Sequence, residues 1–142
     1  MPTSWYVGVI AHRRGDEATA RKAFETAQSV VERDLVRSPD DAKGIAMLAL
    51  IHAALGQRED AMREADRAVN LLPIAKDSFD GPFIATARAV VLTQVGEPDR
   101  AIAQLQSIAG IANGPTPGIL RVEPEWDSLR EDPRFRLLAS AK

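Results

Sequence analysis

The chain contains no cysteine, so neither a disulfide nor a thiolate metal site can form. That is compatible with a reducing compartment, and a cytoplasmic location is the expectation. Histidine occurs only at His12 and His52, on separate segments and without the H-x-x-x-H spacing of a zinc-binding helix. No metal or other cofactor is therefore expected. Aromatic residues make up 5% of the chain, too few for a platform on which nucleotides could stack. Charge of one sign is also scarce: the net charge is -2, which gives no overall attraction to nucleic acid or anionic lipid. Arg13-Arg14, Arg21-Lys22, Arg33 and Arg37 near the start, and Arg134 and Arg136 near the end, are interleaved with acids and read as solvated helix faces. The apolar run around 45–55 is interrupted by His52 and stops at Gly56, too short to span a bilayer. The opening residues Met1–Tyr6 lack the basic and long apolar regions of a signal peptide. No glycine-rich phosphate loop is present, and Gly114, Pro115 and Gly118 match none. Alternating β-branched runs are missing, so no strand is expected.

What is present is a rhyme. The segments R-R-G-D-E-A-T-A, A-L-G-Q-R-E-D-A-M and Q-V-G-E-P-D-R-A-I place a glycine after one apolar helix and before an alanine-rich one. The glycines are Gly15, Gly56 and Gly96, spaced by 41 and then 40 residues. A fixed period of this size is the mark of stacked repeats, each of which buries its apolar face only against its neighbours. With 45% hydrophobic residues the chain can bury a core, and 142 residues suffice for one domain or one short solenoid.

The spacing of apolar residues predicts two helices per repeat. In the first, Tyr6 and Ile10 share a face, Thr3 or Ser4 caps the start, and Ala20, Phe24, Ala27 and Val31 line the second helix. In the second, the stripe Ile45, Leu48, Ala49, His52 and Leu55 precedes Gly56, and Ala61, Ala65, Ala68 and Leu72 follow it. In the third, Ile84, Ala85, Ala89, Leu92 and Val95 precede Gly96, and Ala101, Leu105, Ile108 and Ala112 follow before Asn113-Gly114-Pro115 closes the helix. The tail 116–142 is broken by Pro117, Pro124 and Pro133, yet carries Trp126, Leu129, Phe135 and other large apolar residues. It is expected to cap the last pair, because an end repeat must hide its open face.

These pairs resemble the tetratricopeptide repeat. Ala27 and Ala68 stand twelve residues after their glycines, where that family places a close-contact alanine, and Leu55 and Val95 match its large residue before the glycine. Ile108 and Arg14 depart from the pattern. Family repeats run about 34 residues, so roughly six or seven more fall in each connection here. From A-L-G-Q-R-E-D-A through N-L-L-P, V-G-E-P-D-R-A-I and R-V-E-P-E-W-D-S-L-R-E-D-P-R-F-R-L-L, residues 42–139 are similar to the C-terminal repeat regions of bacterial signalling proteins. Those carry an adenylate-cyclase-like, kinase or DNA-binding domain ahead of the repeats, and the resemblance leaves open a fragment or a free-standing relative.

The resemblance implies an all-α, right-handed solenoid of three helix pairs, at about 4–39, 40–80 and 81–115, with a cap at 116–142. It implies a groove that binds a peptide or protein and is lined by Val9, His12 and Asp16, by Leu50, Ala53, Gln57 and Asp60, and by Val90, Thr93, Glu97 and Arg100. Where chaperone-binding relatives hold a terminal carboxylate with Lys, Arg and Asn, this chain has His12, Asp16, Ala54, Val90 and Gln94. No such clamp is expected.

An enzyme is not expected. His52 lies on an apolar stripe and reads as a packed residue making one hydrogen bond. The acids Asp16-Glu17, Asp40-Asp41, Glu59-Asp60 and Asp99 all fall at helix starts, where capping and the helix dipole, at ~0.5–2 kcal/mol each, explain them. The alternative function is self-association as a homodimer. Trp5, Tyr6 and Ile10 open the first repeat with no earlier helix to cover them.

Overall fold

The computed structural model describes residues 1–142, which form eight α-helices and one 3-10 helix and no strand. The helices are α1 (Thr3–Arg13), α2 (Glu17–Arg37), α3 (Ala42–Ala54), α4 (Arg58–Leu71), α5 (Asp80–Gln94), α6 (Pro98–Ile108), α7 (Pro117–Val122) and α8 (Pro133–Ser140). The 3-10 helix, Pro124–Leu129, lies between α7 and α8.

The three repeated glycines make the same turn. Gly15, Gly56 and Gly96 have φ of 78°, 75° and 80°, the left-handed region open to glycine without a Cβ clash. Each amide donates to the residue three back (His12, Ala53, Thr93), and the next amide to the residue five back (Ala11, His52, Leu92), at 2.8–3.2 Å. This pair of bonds satisfies the free carbonyls at a helix end and reverses the chain. Five residues after each glycine stands a buried alanine: Ala20, Ala61 and Ala101. With no side chain beyond Cβ, each lets the second helix of its pair lie against the first. Ala27 and Ala68 are likewise wholly buried.

Consecutive helices pack as hairpins, α1 on α2, α3 on α4 and α5 on α6, and each hairpin packs on the next through α2–α3, α3–α5 and α4–α5. The core is correspondingly a chain of local clusters. Phe24, Ala27 and Val31 of α2 share one with Leu48 and Ile51 of α3 and its C-cap residue Leu55. Ile45 of α3, Ala68 of α4 and Ile84 of α5 share the next. Ala49, Ala61, Ala65 and Val91 share another. The fourth joins Ala85, Ala89 and Leu92 of α5 and Ile102, Leu105 and Ile108 of α6 to Leu120, Trp126, Leu129 and Phe135 of the tail. Trp126 and Phe135 meet there as a tilted pair with centroids 6.4 Å apart.

Arginines tie the connections. Arg88 of α5 bonds Asp66 of α4 at 2.7 Å and Gln104 of α6 at 2.6 Å. Arg67 donates to the Pro39 carbonyl in the α2–α3 connection (2.8 Å). Arg130 donates to the carbonyls of Leu120, Arg121 and Glu123 at the end of α7, a six-residue helix too short to hold itself. Before α5, the chain crosses so close that a Cβ on Gly81 would lie 2.7 Å from the Cα of Ile74.

Local details differ from the sequence expectation. The N-cap of α1 is Pro2, and neither Thr3 nor Ser4 caps it, because the chain has already turned helical at Thr3. Asp41 is the N-cap of α3 but makes no side-chain cap bond, whereas Glu59 and Asp60 lie in the first turn of α4, at a helix start as expected. Helix α6 stops at Ile108 rather than reaching Ala112, since Ala109 is extended and Gly110 has φ of 75°. His52 is buried, at 5% exposure, and its Nδ1 has no hydrogen-bond partner.

Candidate functional site

A groove of about 700 Å³ runs across the first helices of all three hairpins. Helix α1 contributes Trp5, Val9, His12 and Arg13; α3 contributes Leu50, Ala53 and Ala54; α5 contributes Phe83, Thr86, Ala87, Val90 and Gln94. Within each helix these residues recur at intervals of three and four, so they share a face. Measured from the repeated glycines, the same positions recur: Val9, Leu50 and Val90 lie six residues before them, and Arg13, Ala54 and Gln94 lie two before. The groove is thus built by repetition. Apolar surface dominates it, the usual composition of a binding site.

The floor under α1 has a specific construction. Phe24 of α2 reaches the groove because Gly8 leaves room: a Cβ there would fall 2.5 Å from the ring. Trp5 lies against Phe24 with centroids 5.3 Å apart and an interplanar angle of 50°, a geometry that favours aromatic pairs. At the far side the 3-10 helix brings Pro124, Glu125 and Asp127 into the lining. The tail therefore covers the last hairpin and also forms one wall of the groove.

Of the residues expected to line a groove, Val9, His12, Leu50, Ala53 and Val90 do so. Asp16, Gln57, Asp60, Thr93, Glu97 and Arg100 do not. Asp16, Gln57 and Glu97 are the residues that start the second helix of each hairpin, so the turn itself holds them away. Asp16 accepts from the Thr19 amide at 3.2 Å, and hydrogen bonds from the Thr19 side chain and backbone hold its carboxyl below the usual carboxylate range. Asp60 pairs with Arg63 at 2.6 Å, Arg100 stands 4.0 Å from Asp66, and Glu97 pairs with Arg58. Thr93 is buried, and its hydroxyl donates back to the Ala89 carbonyl at 2.8 Å. Arg13, Ala54 and Gln94 line the groove as well; Ala54 and Gln94 are among the residues standing where relatives place a clamp, and the same glycine spacing picks out Arg13. Nothing in the sequence pointed to Phe24 or to the 3-10 helix.

The three residues expected at a self-association face separate. Trp5 turns into the groove, whereas Tyr6 and Ile10 stay 57% and 51% exposed, and Val7 joins them on the outer side of α1.

Three of the six polar side chains that line the groove are engaged within the protein. The His12 Nδ1 lies 2.9 Å from Glu17. Thr86 donates its hydroxyl to the Pro82 carbonyl at 2.7 Å, and Asp127 pairs with Arg130 at 2.7 Å. No group of three or more His, Asp or Glu side chains could hold a metal ion. No helix is long and apolar enough to cross a membrane.

A second concavity lies in the tail, between Arg121, Arg130 and Arg136. Its arginines are committed to carbonyls: Arg121 to Ala139, Arg130 to the end of α7, and Arg136 to Arg130. They are staples rather than an anion site. No family model matches the chain, and no curated protein or solved structure matches it either.

Proposed function

We propose that this chain is a non-catalytic interaction module of the tetratricopeptide type, a short right-handed solenoid that takes a peptide or protein partner in its concave groove. The observation that carries this reading is the repeated lining: equivalent positions of three successive hairpins face one apolar concavity. Stacked helical repeats use such surfaces for binding. A catalytic reading has less support. The one groove histidine is paired with Glu17, and the one groove hydroxyl, Thr86, is turned back on its own helix. A general base needs a nucleophile within reach.

The test is selection of displayed random dodecapeptides on the full chain, repeated with Ala53→Arg. Ala53 is half-buried in the middle of the groove, so an arginine there would occupy it while the closely packed Ala49 and Ala61 stay as they are. Selected peptides that bind the parent chain and lose at least tenfold in affinity with Ala53→Arg support the reading. Peptides indifferent to that change, or no enrichment at all, would refute it.

A second reading, self-association, rests on a different observation. Counted from the glycines, Tyr6, Val7 and Ile10 of α1 correspond to Met47, Leu48 and Ile51 of α3, which pack into a cluster with α2. The same face of α1 has no helix before it and remains exposed. A second copy of the chain would cover it, as would a preceding helix in a longer protein of the resembled kind. Light scattering at two concentrations distinguishes a dimer, and Ile10→Glu should return it to monomer.

A further inference from the structure

We infer that the groove selects a peptide carrying a basic residue beside bulky apolar ones, with Glu125 as the residue that reads the base. The inference rests on the groove being a peptide site, as proposed above. Glu125 lies in the 3-10 helix and lines the groove wall, half-buried, and its carboxylate makes no hydrogen bond or ion pair. The other acid on that wall, Asp127, is already paired with Arg130. A half-buried carboxylate without a partner is incompletely satisfied, and a ligand's ammonium or guanidinium reaching it from the groove would give it a charge-assisted hydrogen bond. Arg13 on the opposite wall is the one unpaired cation of the lining, but it stands exposed at the end of α1, where solvent and salt weaken its pull. The half-buried carboxylate is therefore the stronger determinant.

The apolar part of the ligand follows from the walls. The first hairpin supplies Trp5, Val9 and Phe24, α3 supplies Leu50, and α5 supplies Phe83 and Val90. Phe79, the N-cap residue of α5, stands four residues before Phe83 in the chain and is 72% exposed, which leaves a second aromatic bare at the start of that helix. A small molecule would end within the groove, whereas an extended peptide uses both the groove and Phe79.

The experiment sequences the peptides selected on the full chain and measures their affinity by isothermal titration calorimetry against Glu125→Gln. Because Gln keeps the shape and one carbonyl oxygen, the fold is undisturbed, which circular dichroism checks. The expected result is enrichment of Lys or Arg beside Leu, Phe or Trp, and a loss of about tenfold on Glu125→Gln that shrinks as salt is raised. The same peptide with its base changed to norleucine should bind parent and variant alike. If selected peptides lose affinity with Ala53→Arg but show no basic preference and no response to Glu125→Gln, the inference fails while the groove reading stands. Should no peptide be selected, or a small apolar compound alone occupy the groove, both fail.

Discussion

Replacing Trp126 with alanine tests whether the tail is part of the fold or an appendage. Trp126 is 2% exposed and packs with Phe135 against Leu129 and the inner faces of α5 and α6. A buried tryptophan removes on the order of 200 Å² from water, worth about 5 kcal/mol at 25 cal/mol per Å² as an upper bound. Large-to-small changes at aromatic core positions cost about 3–5 kcal/mol, a range that already includes the loss of a contact such as that with Phe135. An expected loss of about 4 kcal/mol is a large share of the roughly 5–15 kcal/mol that holds a domain together. Urea unfolding followed by far-ultraviolet circular dichroism measures it, and Trp126→Phe, expected to lose about 2 kcal/mol, keeps the comparison readable if the alanine variant does not fold. The groove should suffer too, since Pro124 and Glu125 are held in its wall by the same 3-10 helix. A loss below about 1 kcal/mol would refute the packing argument and with it the role of the tail as a wall.

Three further outcomes are expected. Helix propensity alone favours Gly81→Ala by about 1 kcal/mol, but its new Cβ would press on the backbone of Ile74, so a loss of about 3 kcal/mol is expected in the same unfolding assay; Gly56→Ala meets open space and should lose only about 1–2 kcal/mol from its left-handed φ. His52→Leu removes a buried nitrogen that has no partner and should raise stability by about 1 kcal/mol, a result that a destabilised variant would contradict. Asp132 accepts from the Arg134 side chain and backbone, which holds its carboxyl down to about 2, and Asp16 and Asp77 are lowered by their own hydrogen bonds. The folded values lie below the unfolded ones, near 3.9, so this stabilisation is complete above about pH 4 and is lost as pH falls toward 2. Melting temperature should drop over that window, and Asp132→Asn should flatten the drop.

The helices and their turns were legible because local chemistry decides them. Gly15, Gly56 and Gly96 are needed wherever the chain reverses through a left-handed residue, and alanines five residues on are needed wherever two helices touch. Both requirements act over a few residues and leave a periodic mark. The stop of α6 at Ile108 was less legible, because Asn113-Gly114-Pro115 is the louder signal, while Gly110 makes the turn first.

The groove was legible only in part, for a reason of rotation. Adjacent positions on a helix lie 100° apart, so an error of one residue separates a lining side chain from a buried or solvent-facing one. Ala53 lines the groove, but its counterpart Thr93 is buried, and Gln94 takes the face instead. The sequence by itself determined the all-helical class, the three reversals and the absence of thiol chemistry, since each depends on residue type and local spacing. Only the tertiary structure decided which faces meet. It let Phe24 reach the groove over Gly8, turned Trp5 inward while leaving Tyr6 and Ile10 bare, and set Glu125 in the wall beside them. Those placements depend on contacts between residues on different helices, and no local pattern records them.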